Sequence, residues 1–477
     1  MRTIVDADLC VIGAGAAGLS VAAGAAQMGA RTVLIERGAM GGDCLNYGCV
    51  PSKSLIAAAR IAATTASASR FGISLAPAVI DSAAVRRHVE DVVGAIAPHD
   101  SVERFEGLGV RVIAAAARFT GPREVTAGEA VVRARRFIIA TGSSPAIPPV
   151  LGLATTPYLT NETIFQLDVV PSHLIILGGG PVGTEMAQAF RRLGAPVTLL
   201  QRSRLLPRDD PELVDVLRAR LRSEGIDVRE GVRVLRTEGD SREAMTVRVI
   251  LAGKGEEQAI VGSHLLVATG RRPDIDGLGL EEGGIAYTSA GIVVDHRLRT
   301  TNRKVFAIGD VTGGLQFTHV AGYHAGIVLK NALFRWPART DHRCLPRVTY
   351  AEPELAQVGL SEADARARGI RHRVLRAPYA ANDRARTARC TDGLVKVIVG
   401  RGGRILGAGI VGEQAGELIH TWVLAMSQRL KIGAVATMIA PYPTLGELNK
   451  NVAGSYFTPS LFSPGTRRLV RLLARLG

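Results

Sequence analysis

The sequence predicts an α/β protein with two Rossmann-like strand–turn–helix–strand units and a C-terminal α+β region. Three observations predict it. The glycine pattern G-x-G-x-x-G occurs at Gly13-Ala14-Gly15-Ala16-Ala17-Gly18, directly after an apolar strand-like run. A second glycine-rich turn, Gly178-Gly179-Gly180-Pro181-Val182-Gly183, follows another apolar run at 173–177. From Leu345 onward the pattern changes to alternating apolar runs, notably 394–399 and 405–410, then a helical stretch over 416–430.

In the first unit an alanine-rich helical stretch follows the glycines, and a strand then ends in Glu36, about twenty positions on. That arrangement puts a pyrophosphate on a helix N-terminus and a ribose hydroxyl on the carboxylate of Glu36. Residues 53–100 read as helical, with breakers around 71–77. Strand-like runs follow at 110–114 and 131–139; the second ends in Ala140-Thr141-Gly142, and Pro145, Pro148 and Pro149 mark a linker.

The second unit continues with a helix through Leu193 and a strand at 197–200. Where an acid would hold a free ribose, this unit has Gln201-Arg202-Ser203-Arg204, with Arg208 further on. Losing the carboxylate and gaining arginines suits a 2′-phosphate, hence NADPH rather than NADH, against the alternative of a merely solvated basic face. Residues 265–273 repeat Ala-Thr-Gly at Ala268-Thr269-Gly270. Residues 304–310 form another strand ending in Gly309-Asp310, and a helix is expected from about Thr318. The expected domains are 1–148 and 276–342 for the first nucleotide, 149–275 for the second, and 343–477 for the C-terminal region.

Between the two units lies Gly41-Gly42-Asp43-Cys44-Leu45-Asn46-Tyr47-Gly48-Cys49-Val50-Pro51-Ser52-Lys53, which holds two of the five cysteines. In a regular helix, residues five apart have Cα atoms roughly 8–9 Å apart. A disulfide needs them within about 7 Å. Either the segment bends sharply, which Gly48 would ease, or the two thiols never pair. A cysteine at a helix start with a lysine one turn on favours the thiolate, so the pair reads as a redox dithiol. The plainer alternatives are a structural disulfide or two buried thiols. Cys10, Cys344 and Cys390 stand alone and are taken as packing residues.

At 477 residues and 47% hydrophobic, the chain is long enough for two to four domains with sizeable cores. No secretory leader pattern and no apolar run of membrane-spanning length is seen, so a cytoplasmic location is expected. The net charge of +15 comes from scattered arginines without a basic stripe interleaved with aromatics. Arginine-rich coding explains it better than a nucleic-acid partner. The ten histidines form no H-E-x-x-H and no C-x-x-C pairing, so no resident metal is expected. Residues 467–476 alternate arginine with leucine and valine. This reads as a terminal helix docked on its own protein, with surface association of 466–477 as the alternative.

With two dinucleotide units and the dithiol between them, the chain resembles the pyridine-nucleotide–disulfide oxidoreductases. That family includes lipoamide dehydrogenase, glutathione reductase and mercuric reductase. The resemblance spans nearly the whole chain, and G-G-x-C-x4-C-x-P-x-K is highly specific. It implies FAD on the first unit, with Gly13, Gly15, Gly18, Glu36, Thr141, Gly142, Asp310 and Thr318 in matching places and Gly42, Lys53 and Ala117 beside them. It implies a nicotinamide nucleotide on the second, held by Gly178, Gly180, Gly183, Gln201, Arg202, Arg208 and Gly270. It also implies a C-terminal dimerisation domain, carried by Pro346-Arg347-Val348-Thr349 and Gly412-Glu413-Gln414-Ala415-Gly416-Glu417, and therefore a homodimer.

The catalytic reading this implies is electron flow from NADPH through FAD to a Cys44–Cys49 disulfide. Cys49 is the inner thiol, Cys44 the outer one, and Lys53–Glu185 an ion pair beside the flavin. One departure matters. The family's disulfide-reducing members have a histidine just before Pro-Thr and a glutamate five residues after it, supplied by the partner subunit as an acid–base pair. Here Glu447 stays and the histidine is Tyr442. A phenol with pKa near 10 is a poor proton shuttle at neutral pH beside an imidazole near 6.5.

Mercuric reductase also has tyrosine there, but it ends in a cysteine pair that residues 463–477 lack. The N-terminal metal-binding module that many mercuric reductases carry is likewise not expected here. The expected function is transfer of electrons from NADPH to a metal ion or other thiol-reactive acceptor. The alternatives are a dihydrolipoamide dehydrogenase or other disulfide reductase, and, more remotely, a non-catalytic flavoprotein bound to a membrane or partner.

Overall fold

A computed structural model describes residues 3–240, 246–253 and 256–475. Packing divides the chain into two compact units: Met1–Arg202 with Val232–Asp341, and Ser203–Gly231 with His342–Gly477.

The first unit is built on a parallel sheet whose central strand is Thr3–Ile12. Thr32–Glu36 pairs with it on one side and Ala130–Ile139 on the other, both parallel. Val110–Ala114 and Val305–Ala307 extend the sheet at either side. Leu9, Cys10, Val11 and Ile12 are all buried without alternation, as expected for a parallel strand covered on both faces. Helices Ala16–Gln27 and Thr318–Ala332 cover one face through Ala17, Ala22, Ala25, Ala321, Ala325 and Val328. The small side chains let them approach closely: a Cβ on Gly24 would sit 2.8 Å from Leu329. The turn after Thr3–Ile12 opens where neighbouring strands lie to both sides, the switch point at which such sheets bind ligands.

Two short antiparallel strands, Ala117–Gly121 and Glu124–Ala127, extend Ala130–Ile139 as a meander that periodicity did not reveal. The helical region after the cysteines resolves into Cys49–Ser67 and Ser82–Ile96. Asp81 caps the latter by accepting from the Ala84 N–H at 3.0 Å.

The second nucleotide-type sheet has Leu174–Leu177 between Val197–Gln201 and His264–Val267, all parallel. The antiparallel strands Val234–Asp240, Thr246–Ala252 and Glu257–Gly262 join its core through Val247, Val249 and Leu251.

The second unit carries a five-stranded antiparallel sheet in the order Pro346–Thr349, Glu354–Gly359, Ile405–Gly412, Leu394–Gly400, His372–Pro378. Trp422 is fully buried against it, its indole donating to Asn449 Oδ1 at 2.8 Å. The helical stretch expected over 416–430 is instead two pieces, Ala415–Leu418 and His420–Ser427. It stops early because Arg429 takes a left-handed φ of 55° and the Leu430 N–H turns back to the Ala425 carbonyl at 2.7 Å, a helix-ending geometry.

Helix Pro211–Ser223, which sequence order sets within 149–275, packs with this second unit. The reason is Lys396, a strand residue whose side chain is 5% exposed. Its Nζ lies 2.9 Å from Asp210, 2.8 Å from Glu212 and 2.9 Å from Glu362. A buried ammonium demands such partners.

The C-terminal helix Pro464–Leu473 does not dock as expected. It is capped by Ser463, whose hydroxyl accepts from the Thr466 N–H, yet none of its residues is buried. No apolar surface of the described chain covers Leu469, Val470, Leu472 or Leu473. Leu476 and Gly477 lie outside the described residues. No helix among the described residues is long and apolar enough to cross a membrane.

Candidate active site

The dithiol segment bends, which decides between the two geometries left open by spacing. Gly42–Asn46 forms a short helix, and a new helix starts at Cys49 after a break at Gly48 (φ −123°, ψ −109°). The break suits glycine: a Cβ on Gly48 would meet Asp43 Oδ2 at 2.8 Å and the Asp43 carbonyl at 3.0 Å. Cys44 and Cys49 are free thiols in hydrogen-bond contact with each other.

Their acidities diverge. The hydrogen bond from Cys44 lowers the Cys49 thiol to about 6 against the opposing effect of burial, with help from Thr318 and the Lys53 charge. At neutral pH this favours the thiolate form of Cys49. Cys44 moves the other way, because it donates to Cys49 and is itself desolvated. Thr318 opens its helix with Oγ1 3.3 Å from Cys49 Sγ. Lys53, one turn after Cys49, donates to Glu185 Oε2 at 2.9 Å. Glu185 is buried on the helix Pro181–Arg192, so this ion pair ties the redox helix to the second glycine-rich turn.

The first glycine-rich turn is a cradle closed to side chains at its first and last glycines. Gly13 has φ +103°, and its Cβ would meet the Ala140 carbonyl at 2.4 Å; a Cβ on Gly18 would meet the Gly13 carbonyl at 1.8 Å. A Cβ on Gly42 would sit 2.6 Å from Gly15 Cα, so the dithiol segment presses against the cradle. Glu36 accepts from the Ala14 N–H at 2.5 Å and the Gly38 N–H at 2.7 Å. A carboxylate has further lone pairs for ribose hydroxyls.

Ala117 is buried in the core, close in chain to Ala115, whose N–H donates to the Glu36 carbonyl. Asp310 accepts from Ser143 Oγ at 2.7 Å, and burial pushes its carboxyl upward. Thr141 Oγ1 donates to the Asp274 carbonyl at 2.7 Å, and Gly142 has φ +74°. These residues fit FAD: a backbone cradle for pyrophosphate, an acid for ribose, and a half-buried acid opposite the dithiol segment.

Sequence reasoning missed the clamp on Asp43. Arg271 lies 3.0 Å from Asp43 Oδ1, donates to Ser143 at its hydroxyl (2.8 Å) and carbonyl (2.6 Å), and approaches Asp310 to 3.9 Å. Asn161 Nδ2 adds bonds to Asp43 Oδ1 at 3.0 Å and the Tyr47 carbonyl at 3.2 Å. Arg271 directly follows the repeated Ala-Thr-Gly, but its role appears only once Arg271–Pro273 pairs with Ser143–Pro145.

In the second nucleotide unit Gly178 (φ +110°) and Gly183 repeat the cradle, with blocked Cβ positions at 2.3 Å and 1.9 Å from carbonyl oxygens. Gly180 is open, and Gly270 has φ +137°. Gln201 Oε1 accepts from the Gly179 N–H at 2.8 Å, the place Glu36 holds in the first unit. Arg202 is exposed beside it. Arg208 belongs to the second unit, where its carbonyl accepts from Arg347.

Tyr442 and Glu447 also lie in the second unit. The Tyr442 hydroxyl, on a side chain 72% exposed, donates to Asp383 Oδ2 at 3.1 Å, which pushes the phenol pKa up. Glu447 accepts from the Thr444 N–H at 3.4 Å. Among the described residues no group of three His, Cys, Asp or Glu is placed to hold a metal ion.

Residues 7–325 match the family described as pyridine nucleotide-disulphide oxidoreductase, and 345–453 match that family's dimerisation domain. The chain belongs to this family. It is 39% identical over 459 residues to a mercuric reductase of Streptomyces lividans, covering 94% of this chain and 96% of that one. It is 34% identical over 452 residues to a dihydrolipoyl dehydrogenase of Thermus scotoductus, covering 92% and 95%. Among solved structures, the Cu(II) complex of the HOCl-induced flavoprotein disulfide reductase RclA from Escherichia coli matches with TM-score 0.84 and 30% identity, covering 94% of this chain and 99% of that one. The protein is thus an NAD(P)H-dependent FAD/disulfide oxidoreductase, and its dimerisation domain supports a homodimer.

Proposed function

We propose that the protein reduces a soft, thiol-seeking metal ion at the expense of NADPH, with Cys44 as the outer thiol that takes the acceptor. The observation that carries this reading is Tyr442. Its phenol is exposed, bonded to Asp383 and pushed above its ordinary pKa, so it keeps its proton at neutral pH. Splitting a disulfide requires a proton for the departing thiolate; releasing a thiolate-bound metal ion does not. The relatives named mercuric reductase, at 34–39% identity, and the Cu(II) complex among the structural neighbours support the same class of acceptor.

FAD, when bound, supplies two-electron transfer between the pyridine nucleotide and the Cys44–Cys49 disulfide. The chain's own residues do the rest. Cys49 rests as a thiolate, stabilised by Cys44, Thr318 and Lys53. Cys44 holds its proton until a metal ion displaces it, since coordination deprotonates a thiol outright. As the dithiol becomes a disulfide, the Cys44 proton leaves and two electrons pass to the acceptor, one Hg(II) or two Cu(II) ions. Glu185 keeps Lys53 oriented. In the homodimer the family architecture implies, Tyr442 and Glu447 serve the dithiol of the other protomer. Gln201 in the acid's place, with Arg202 adjacent, supports NADPH as the nucleotide. A cytoplasmic setting suits an enzyme that works through free thiols.

Retention of Glu447 favours a second reading, a disulfide reductase of the dihydrolipoyl dehydrogenase kind. A parallel NADPH-oxidation assay separates the two, using FAD-loaded enzyme with Hg(II) in excess thiol, Cu(II), lipoamide or glutathione disulfide. Metal ions should turn over faster, and Cys44→Ser should abolish every reaction. Fast lipoamide turnover by the wild type would overturn the metal reading in favour of the second.

A further inference from the structure

The C-terminal helix Pro464–Leu473 is left unexplained by the redox chemistry. Ser463 and Pro464 start it firmly, yet no residue in it is buried. At 100° per residue, Leu469, Val470, Leu472 and Leu473 fall on one arc, and each is more than half exposed. Arg467, Arg468 and Arg471 occupy the opposite arc and Arg475 follows just past the helix, all exposed. Just ahead of the helix, Leu461 and Phe462 add apolar surface at 58% and 64% exposure. After Glu447 the chain has no acidic residue at all.

We propose that this helix lies in the interface of an anionic lipid bilayer, apolar arc among the acyl chains and arginines among the head groups. Charge selects this occupant. A cationic amphipathic helix with an open apolar face is the form that binds anionic membrane surfaces, through buried apolar area plus attraction to head groups. A second copy of the helix would cover the apolar arc but leave the arginines facing water, whereas an anionic bilayer surface takes up both faces at once. The arginine stems also reach along the helix edge, so their charged ends sit at head-group depth while the leucines go deeper.

The test is co-sedimentation of the full-length, FAD-loaded protein with vesicles of phosphatidylcholine alone or with about a quarter phosphatidylglycerol, at low and high salt. Wild-type protein is expected to sediment with the anionic vesicles only and to be released by high salt. Arg467→Glu with Arg471→Glu should weaken binding at least about 25-fold, taking roughly five-fold per basic residue near the surface. Leu472→Asp with Leu473→Asp should abolish it. Unchanged NADPH oxidation and melting temperature show that both variants are folded. Wild type remaining in the supernatant, or binding neutral and anionic vesicles equally, overturns the proposal. So does light scattering showing an assembly larger than a dimer that the leucine variant dissolves, since the apolar arc would then be covered by another copy.

Discussion

Gln201 Oε1 accepts the Gly179 N–H at 2.8 Å. In the first unit Glu36 accepts the equivalent N–H, that of Ala14, at 2.5 Å. Both side chains brace a glycine-rich turn from the end of the next strand, but the amide carries no charge to repel a 2′-phosphate. NADPH should therefore give a higher kcat/KM than NADH, and Arg202→Glu should narrow or reverse that preference by roughly 10- to 100-fold, the worth of a charged hydrogen bond. Steady-state kinetics with both nucleotides checks this; equal wild-type values would count against it.

The Cys49 thiol should half-titrate near pH 6, the value set by Cys44, Thr318 and Lys53. Removing Thr318 Oγ1 or the Lys53 charge takes away support for the thiolate, so Thr318→Val and Lys53→Met should each move the midpoint upward. The rate of alkylation of the reduced enzyme against pH reads it directly. An unshifted midpoint in both variants would mean that neither group stabilises the thiolate.

Tyr442→His should raise lipoamide or glutathione disulfide turnover by up to about 10²–10⁴-fold, the usual range for general acid–base catalysis. The same change should leave the rate of reduction by NADPH untouched, which stopped-flow measurement of that half-reaction would confirm. No gain in disulfide turnover would show that proton delivery is not what limits the wild type.

Lys396→Met strips the ammonium from three carboxylates in a buried setting, and should destabilise the protein by about 3–5 kcal/mol in denaturant unfolding. The Arg376 guanidinium, followed by Lys396, holds Glu212 at about 2, below its ordinary 4.5. A carboxylate depressed on folding stabilises the native state above its unfolded pKa, and that stability is lost as pH falls from about 4.5 toward 2. Glu212→Gln should flatten the acid limb of the stability curve across that window. An acid limb identical to the wild type's would rule Glu212 out as a contributor.

The sequence by itself determined the two glycine-rich turns, the acid and amide that brace them, the dithiol segment, and Tyr442 in place of an imidazole. Each is local: a turn that only glycine can make, or a residue type at fixed distance along one segment. What spacing could not decide was whether Cys44 and Cys49 meet. That depended on the break at Gly48, where the close approach of Asp43 leaves little room for a side chain. The Arg271–Asp43 clamp and the Thr318 contact were hidden because they join segments far apart in the chain, through strand pairing that no local pattern records. Helix Pro211–Ser223 joined the second unit for the same kind of reason: a buried lysine on a distant strand needs its carboxylates. The exposure of the C-terminal helix was likewise a tertiary outcome. Alternation of arginine and leucine fixes an amphipathic helix, but only the packed chain shows whether anything covers its apolar side.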